Sequence, residues 1–170
     1  APGEPVPFKC FVTGNSSLER QRLLEVGLFD EDFRHYGGED LELGYRLHLA
    51  GLEFAFAEEA LSLHNHLRTF GHICRLMRTY GQHSLPLLLD KHPELADLLH
   101  LGFLGAGRWS PRRWLYRLLL APAVYTPIQV AARLAVGLYV PDRAFEYIWW
   151  YQRTHGYLCR SGPGIDPAPV

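Results

Sequence analysis

The chain has 170 residues, 48% hydrophobic and 21% charged, an ordinary globular composition that excludes disorder and collagen-like repeats. Its net charge of −1 hides an asymmetry: residues 1–66 carry 12 acidic and 5 basic side chains, whereas residues 67–170 carry 6 acidic and 12 basic. An acidic first third argues against nucleic-acid binding, and three scattered cysteines (Cys10, Cys74, Cys159) argue against a zinc ribbon or a disulfide framework.

Lys9–Thr13 reads as a short strand and Gly14-Asn15 as a turn. Ser16 with Glu19 three residues later has the form of a capping box, which predicts a helix from that point to Gly27. Leu28–Phe33 reads as a loop with two aromatic anchors. After Gly37-Gly38 a second helix is expected over residues 39–50, ended by Gly51. Residues 52–57 and 61–66 alternate with period 2 and read as strands. The first third is thus β-α-loop-α-β-β, an α/β pattern with too few strands to close a sheet.

After Arg68 the pattern changes. Segments 70–82, 84–91 and 93–101 read as helices, and residues 102–107 as a glycine-rich break. Residues 111–140 form a long apolar stretch interrupted by Pro122 and Pro127. A last helix is expected from Pro141 to His155, stopped at Gly156, followed by a frayed tail over 161–170. The division is 1–67 for the α/β part and 68–170 for a helical extension.

Four places carry chemistry, each with a plainer structural alternative. Glu39 and Asp40 stand at a helix entrance, where unpaired N–H groups and the helix dipole favour negative charge. A carboxylate there can serve as a base, with Gly37 and Gly38 presenting it to a cleft; it can also simply stabilise the helix end. His64 and His66 share one strand face at a spacing that suits a divalent metal, or are two histidines on a half-exposed strand. Residues 14–17 offer backbone amides to a polar ligand, or form a capped turn. Residues 108–132 place Arg and Trp beside an apolar run, which suits a membrane surface or a buried helix pair. The uncharged stretch between Arg117 and Arg133 is 15 residues with two prolines, shorter than a span requires.

The order of these pieces resembles the C-terminal half of a family 2 glycosyltransferase with a GT-A fold. The resemblance rests on residues 11–20 (Phe-Val-Thr-Gly-Asn-Ser-Ser-Leu-Glu-Arg), 26–33 (Val-Gly-Leu-Phe-Asp-Glu-Asp-Phe) and 36–47 (Tyr-Gly-Gly-Glu-Asp-Leu-Glu-Leu-Gly-Tyr-Arg-Leu). Ala50-Gly51 and the run 60–64 (Ala-Leu-Ser-Leu-His) complete it. It covers about residues 10–66, and the Tyr-Gly-Gly-Glu-Asp variant is also similar to a galactosyltransferase-type C-terminal module.

The resemblance implies that Asp40 is the catalytic base of an inverting transfer, with Glu39 its neighbour. It implies that His64, with His66 beside it, helps ligate a divalent metal. It also implies that Gly14, Asn15, Gly37, Gly38 and Arg46 line the substrate site. The expected partners are a nucleotide-sugar donor and a glycan, lipid or other hydroxyl acceptor. The donor-binding half, with its Asp-x-Asp-type motif, is not found in the sequence; Asp30-Glu31-Asp32 has the spacing but follows the first helix. The expectation is therefore an acceptor-side half, inactive alone, with Mn2+ or Mg2+ bound only when the donor half is present. The opening Ala1-Pro-Gly-Glu-Pro5 has no signal-peptide pattern and no initiator Met. It reads as an excised piece, with a cytoplasmic location and a peripheral membrane contact through 108–140. Two rival readings are a non-catalytic helical interaction or membrane-docking module, and a metal-dependent hydrolase using His64, His66 and Asp40.

Overall fold

A computed structural model describes residues 3–63, 65, 67–104, 110–135 and 140–160. The chain divides into two compact units, 1–67 and 68–170.

Unit 1 is built on a two-stranded antiparallel sheet, β1 (Pro5–Val6) against β2 (Phe54–Ala55), with Pro5 opposite Ala55 and Val6 opposite Phe54. Backbone bonds continue on the other side of Pro5, from Phe56 N–H to the Glu4 carbonyl at 3.0 Å and from Gly3 N–H to the Phe56 carbonyl at 2.8 Å, while Pro5 and Pro7 sit at positions that face away from β2 and leave that edge without donors. The strand expected over residues 9–13 is absent. Phe8–Cys10 is a 3-10 turn instead, in which Cys10 N–H donates to the Pro7 carbonyl at 2.9 Å and Phe11 N–H to that of Phe8 at 2.9 Å. A second such turn covers Thr13–Asn15. These local bonds satisfy donors that would otherwise need a neighbouring strand.

Helix α1 (Arg20–Glu25) starts later than the capping-box pattern predicts. Ser16 is extended, and Glu19 occupies the N-cap without a side-chain bond. Its end is as expected. Gly27 is left-handed, and N–H groups of Gly27 and Leu28 reach back to Leu24 and Leu23 at 3.1 and 3.0 Å, closing a Schellman motif. Helix α2 (Glu39–Leu49) also ends as expected, with left-handed Gly51 and Leu52 N–H bonded to the Leu47 carbonyl at 3.1 Å. Phe11, Leu43 and Leu47 form the buried core, with Leu18, Leu23, Val26, Leu52 and Phe54 packed around it. The strand expected over 61–66 is not formed by the residues described there, 61–63 and 65.

Unit 2 is helical throughout its described residues. It comprises α3 (Phe70–Thr79), a π turn (Tyr80–Ser84), α4 (Leu85–Lys91), α5 (Leu95–Leu98) and a 3-10 turn at Gly102–Leu104. Helices α6 (Pro111–Leu119), α7 (Pro122–Ala135) and α8 (Asp142–Leu158) follow. The two prolines expected to interrupt the apolar stretch act differently. Pro122 begins α7, where its missing N–H is harmless, and Pro127 lies inside it.

Gly156 does not stop α8, as its position suggested, but lies inside the helix. A Cβ there would strike the Arg78 carbonyl, and one at Gly81 would strike that of Arg153. The two glycines let the end of α3 and the π turn lie backbone to backbone on α8. Cys74, Tyr125, Ala132, Ile148 and Tyr151 form the core, with the rings of Tyr125 and Tyr151 stacked at 3.6 Å. The expectations for 105–107 of the glycine-rich break, for Arg108, for 136–139 and for the tail 161–170 lie outside the described residues.

Candidate active site

The start of α2 places the two candidate carboxylates. Gly37 and Gly38 both take left-handed backbone angles, φ +85° and +98°, which residues with a side chain rarely adopt. The chain therefore turns abruptly into the helix, and Glu39, Asp40 and Glu42 fall in its first turn. The N-cap residue, Gly38, has no side chain to cap this end.

Asp40 is half-buried, and its Oδ1 accepts a hydrogen bond from the Thr13 hydroxyl at 2.6 Å. Its Oδ2 has no partner among the described residues. The 3-10 turn that carries Thr13 also carries Gly14 and Asn15, and Asn15 Nδ2 donates to the Ala60 carbonyl at 2.8 Å. The turn that precedes α1 is thereby tied both to the carboxylate and to the segment leading towards residue 64. Beside Asp40, Glu39 Oε2 is shielded from solvent and has no hydrogen-bond partner among the described residues.

Arg46 lies two turns further along α2. It pairs bidentately with Glu42, Nε to Oε1 and Nη2 to Oε2, both at 2.7 Å. Its guanidinium also donates to the Val26 and Leu28 carbonyls, the latter at 2.7 Å. A positive group thus holds the left-handed loop after α1 against α2, and Glu42 is almost fully buried as a result. The pair also forms the floor of an open groove of about 520 Å³, walled by Leu28, Phe29, Asp30 and Glu31.

Among the sequence-predicted residues, Gly14, Asn15, Gly37, Gly38, Glu39 and Asp40 are placed at or beside the entrance of α2. Arg46 is on the same helix but turned to the 26–28 loop. His64 and His66 lie outside the described residues. Among the described residues, no three His, Cys, Asp or Glu side chains gather as a metal site. Thr13 was missed by sequence reasoning because it was assigned to a strand. Its position directly before Gly14-Asn15 was the available signal.

Residues 1–72 match the family described as "N-terminal domain of galactosyltransferase". With the relatives below, that match makes the first part of the chain similar to glycosyltransferase domains.

The chain is 45% identical over 104 residues to the uncharacterized glycosyltransferase YfnE of Bacillus subtilis, covering 61% of this chain and 26% of that protein. It is 45% identical over 58 residues to the chondroitin synthase of Escherichia coli, covering 34% of this chain and 8% of that one. It is 38% identical over 92 residues to the validoxylamine A glucosyltransferase of Streptomyces hygroscopicus subsp. jinggangensis, covering 53% and 21%. The chain therefore spans about a quarter or less of the length of these relatives. No solved structure matches.

Proposed function

We propose that residues 1–67 form the acceptor-side part of an inverting family 2 glycosyltransferase of GT-A fold. The enzyme would move a sugar from a nucleotide-diphosphate donor to a hydroxyl of a glycan, lipid or other acceptor. The observation that carries this reading is the placement of Asp40 at the entrance of α2, with one oxygen fixed by Thr13 and the other without a protein partner among the described residues. The relatives, which include a chondroitin synthase and a glucosyltransferase, support sugar transfer as the class of reaction.

In this reading Asp40 Oδ2 takes the proton of the acceptor hydroxyl. The acceptor oxygen then forms a bond to the anomeric carbon. The bond from that carbon to the diphosphate breaks on the opposite face, and the nucleoside diphosphate leaves with the electron pair, so the configuration inverts. Thr13 holds one carboxylate oxygen so that the other keeps its orientation. The backbone at Gly14, Asn15, Gly37 and Gly38 borders the space the sugars approach, and Arg46 keeps the groove-lining loop in place. Donor binding is assigned to chain outside these 170 residues, so the segment alone is proposed to lack turnover. The described residues do not by themselves fit a metal ion. Mn2+ or Mg2+ enters the proposal only with His64 and further ligands, and no step above runs through it.

The test is made in the full-length protein. Asp40→Asn is expected to lower turnover by about 10²–10⁴-fold. Donor binding and circular dichroism should stay unchanged, because the Asn carbonyl can still accept from Thr13. Glu39→Gln is expected to keep most of the turnover. Wild-type turnover in Asp40→Asn with loss in Glu39→Gln would move the base by one residue. Wild-type turnover in both would mean that the pair only stabilises the end of α2, and the proposal would fail.

A further inference from the structure

Helix α6 carries two different faces. Tyr116 is turned inward, its ring stacked on Phe103 at 4.4 Å and tilted against Trp150 at 5.6 Å. On the other side Pro111, Trp114, Leu115 and Leu118 follow the i, i+3, i+4, i+7 spacing of a single stripe, and all four are exposed. Trp114, Leu115 and Leu118 are 52%, 55% and 59% accessible, unusual values for large apolar side chains on one helix face.

The helical angle of 100° per residue puts Arg112 on one flank of this stripe and Arg117 on the other. Both are exposed, and the Arg117 guanidinium lies over the Trp114 ring, 5.2 Å from its centroid. From residue 111 to residue 135 there are four arginines and no carboxylate. The stripe is thus a convex apolar ridge with basic margins and an indole at its edge.

We propose that the exposed face of α6 docks on the surface of an anionic lipid bilayer. Leu115, Leu118 and the Trp114 ring would enter the headgroup–acyl boundary, with Arg112 and Arg117 on the lipid phosphates. Charge selects this occupant: residues 111–135 carry no carboxylate of their own, Arg117 is exposed, and Arg112, although it meets Asp97 Oδ1 at 3.5 Å, keeps about half of its side chain in solvent, so a negative surface is called for. Shape supports it, because peptides are ordinarily received in grooves and this surface is a ridge.

The docking is peripheral. Among the described residues no single helix is long and apolar enough to cross a membrane, although α6 and α7 together, bent by 46°, reach the required length and composition. Within unit 2 that pair is bound on its inner side. Tyr147 Oη donates to the Leu119 carbonyl at 2.7 Å, and Tyr125 and Ala132 of α7 are buried in the core with α8. Helix α8 carries Asp142, Arg143, Glu146 and Arg153, which do not belong in hydrocarbon. Only the outer face is free to meet lipid.

The experiment is flotation of the whole chain with vesicles of phosphatidylcholine alone, and of phosphatidylcholine with about one third phosphatidylglycerol. The chain is expected to float with the anionic vesicles, with a blue shift in tryptophan emission, and to be released by salt. Arg112→Gln and Arg117→Gln are each expected to weaken binding about fivefold. Leu115→Glu with Leu118→Glu should abolish binding while circular dichroism stays unchanged, because both side chains already face solvent. If that double variant loses its helical spectrum, Leu115→Ser with Leu118→Ser replaces it and is expected to reduce binding. Equal flotation with neutral vesicles, or no flotation with either, would overturn the proposal. So would a dimer held together by this stripe, or wild-type flotation of the folded leucine variants.

Discussion

The two units keep their folds by different means. Among its described residues unit 1 has a buried apolar core of Phe11, Leu43 and Leu47 and a ladder of two residues per strand, and its loops are tied by polar contacts: Arg46 to Glu42 and two carbonyls, Thr13 to Asp40, Asn15 to Ala60. Unit 2 is held by packing, through stacked tyrosines and two glycines that bring backbones together. A polar staple fixes a loop at a chosen place and leaves its surroundings open to solvent, as a substrate site needs. Packed rings close the interior and leave chemistry to the outer faces. The part that carries the candidate site is therefore the part most exposed to a single polar substitution.

Arg46→Ala is expected to have the largest effect on that contrast. It removes the bidentate partner of Glu42, which is 2% exposed. Breaking such a pair costs about 3 kcal/mol, the low end of the usual range, since Arg46 is partly accessible. Hydrogen-exchange mass spectrometry should show protection lost over residues 20–55. All four tryptophans lie between residues 109 and 150, so their emission should stay unchanged. A shift in emission without lost protection in unit 1 would contradict the division of labour.

Gly156→Ala is the converse. Its Cβ would meet the Arg78 backbone, and overpacking of this kind costs about 1–3 kcal/mol. Urea unfolding followed by tryptophan emission should move to lower midpoint, while exchange in unit 1 is unaffected. Tyr125→Phe is a smaller change. It removes the hydroxyl that accepts from Gln152, and leaves the amide with its other bond, from Arg78 Nε to Gln152 Oε1 at 3.0 Å. The expected loss is about 1 kcal/mol.

The same tyrosine gives unit 2 a pH signature. Burial is the main cause that pushes the Tyr125 hydroxyl up to about 12, against the hydrogen bond from Gln152, which lowers it. Tyr147 and Tyr151 are raised by burial as well. The unfolded chain then loses these protons first, so stability is full below about pH 10 and falls as pH rises towards 12. His155 acts at the other end. Burial and then Arg78 lower its value, so the unfolded chain takes up the proton first, and stability falls as pH drops below about 6.5. Tryptophan-detected urea titrations across both windows should show the two declines, and Tyr125→Phe should flatten the alkaline one.

Local signals were legible wherever the chemistry is confined to neighbouring residues. Gly27 and Gly51 ended their helices as the sequence indicated, because a left-handed residue after a helix satisfies the last carbonyls locally. The entry into α2 at Gly37-Gly38 and the helical character of the described residues after 68 were legible for the same reason. The strand readings at 9–13 and, by period-2 alternation, at 61–63 were poor guides, because a strand exists only where a partner supplies its hydrogen bonds.

The sequence by itself determined the charge division, the ends of α1 and α2 at Gly27 and Gly51, the Gly-Gly-Glu-Asp entrance and the likeness to glycosyltransferases. It did so because these depend on residue type and short spacing. Only the tertiary structure decided that Thr13 holds Asp40 from 27 positions away, that Arg46 is spent on the loop after α1, and that Gly156 serves a helix crossing. It also decided which side of α6 faces out. Each of these is set by which distant backbone comes within reach, and no local pattern encodes that.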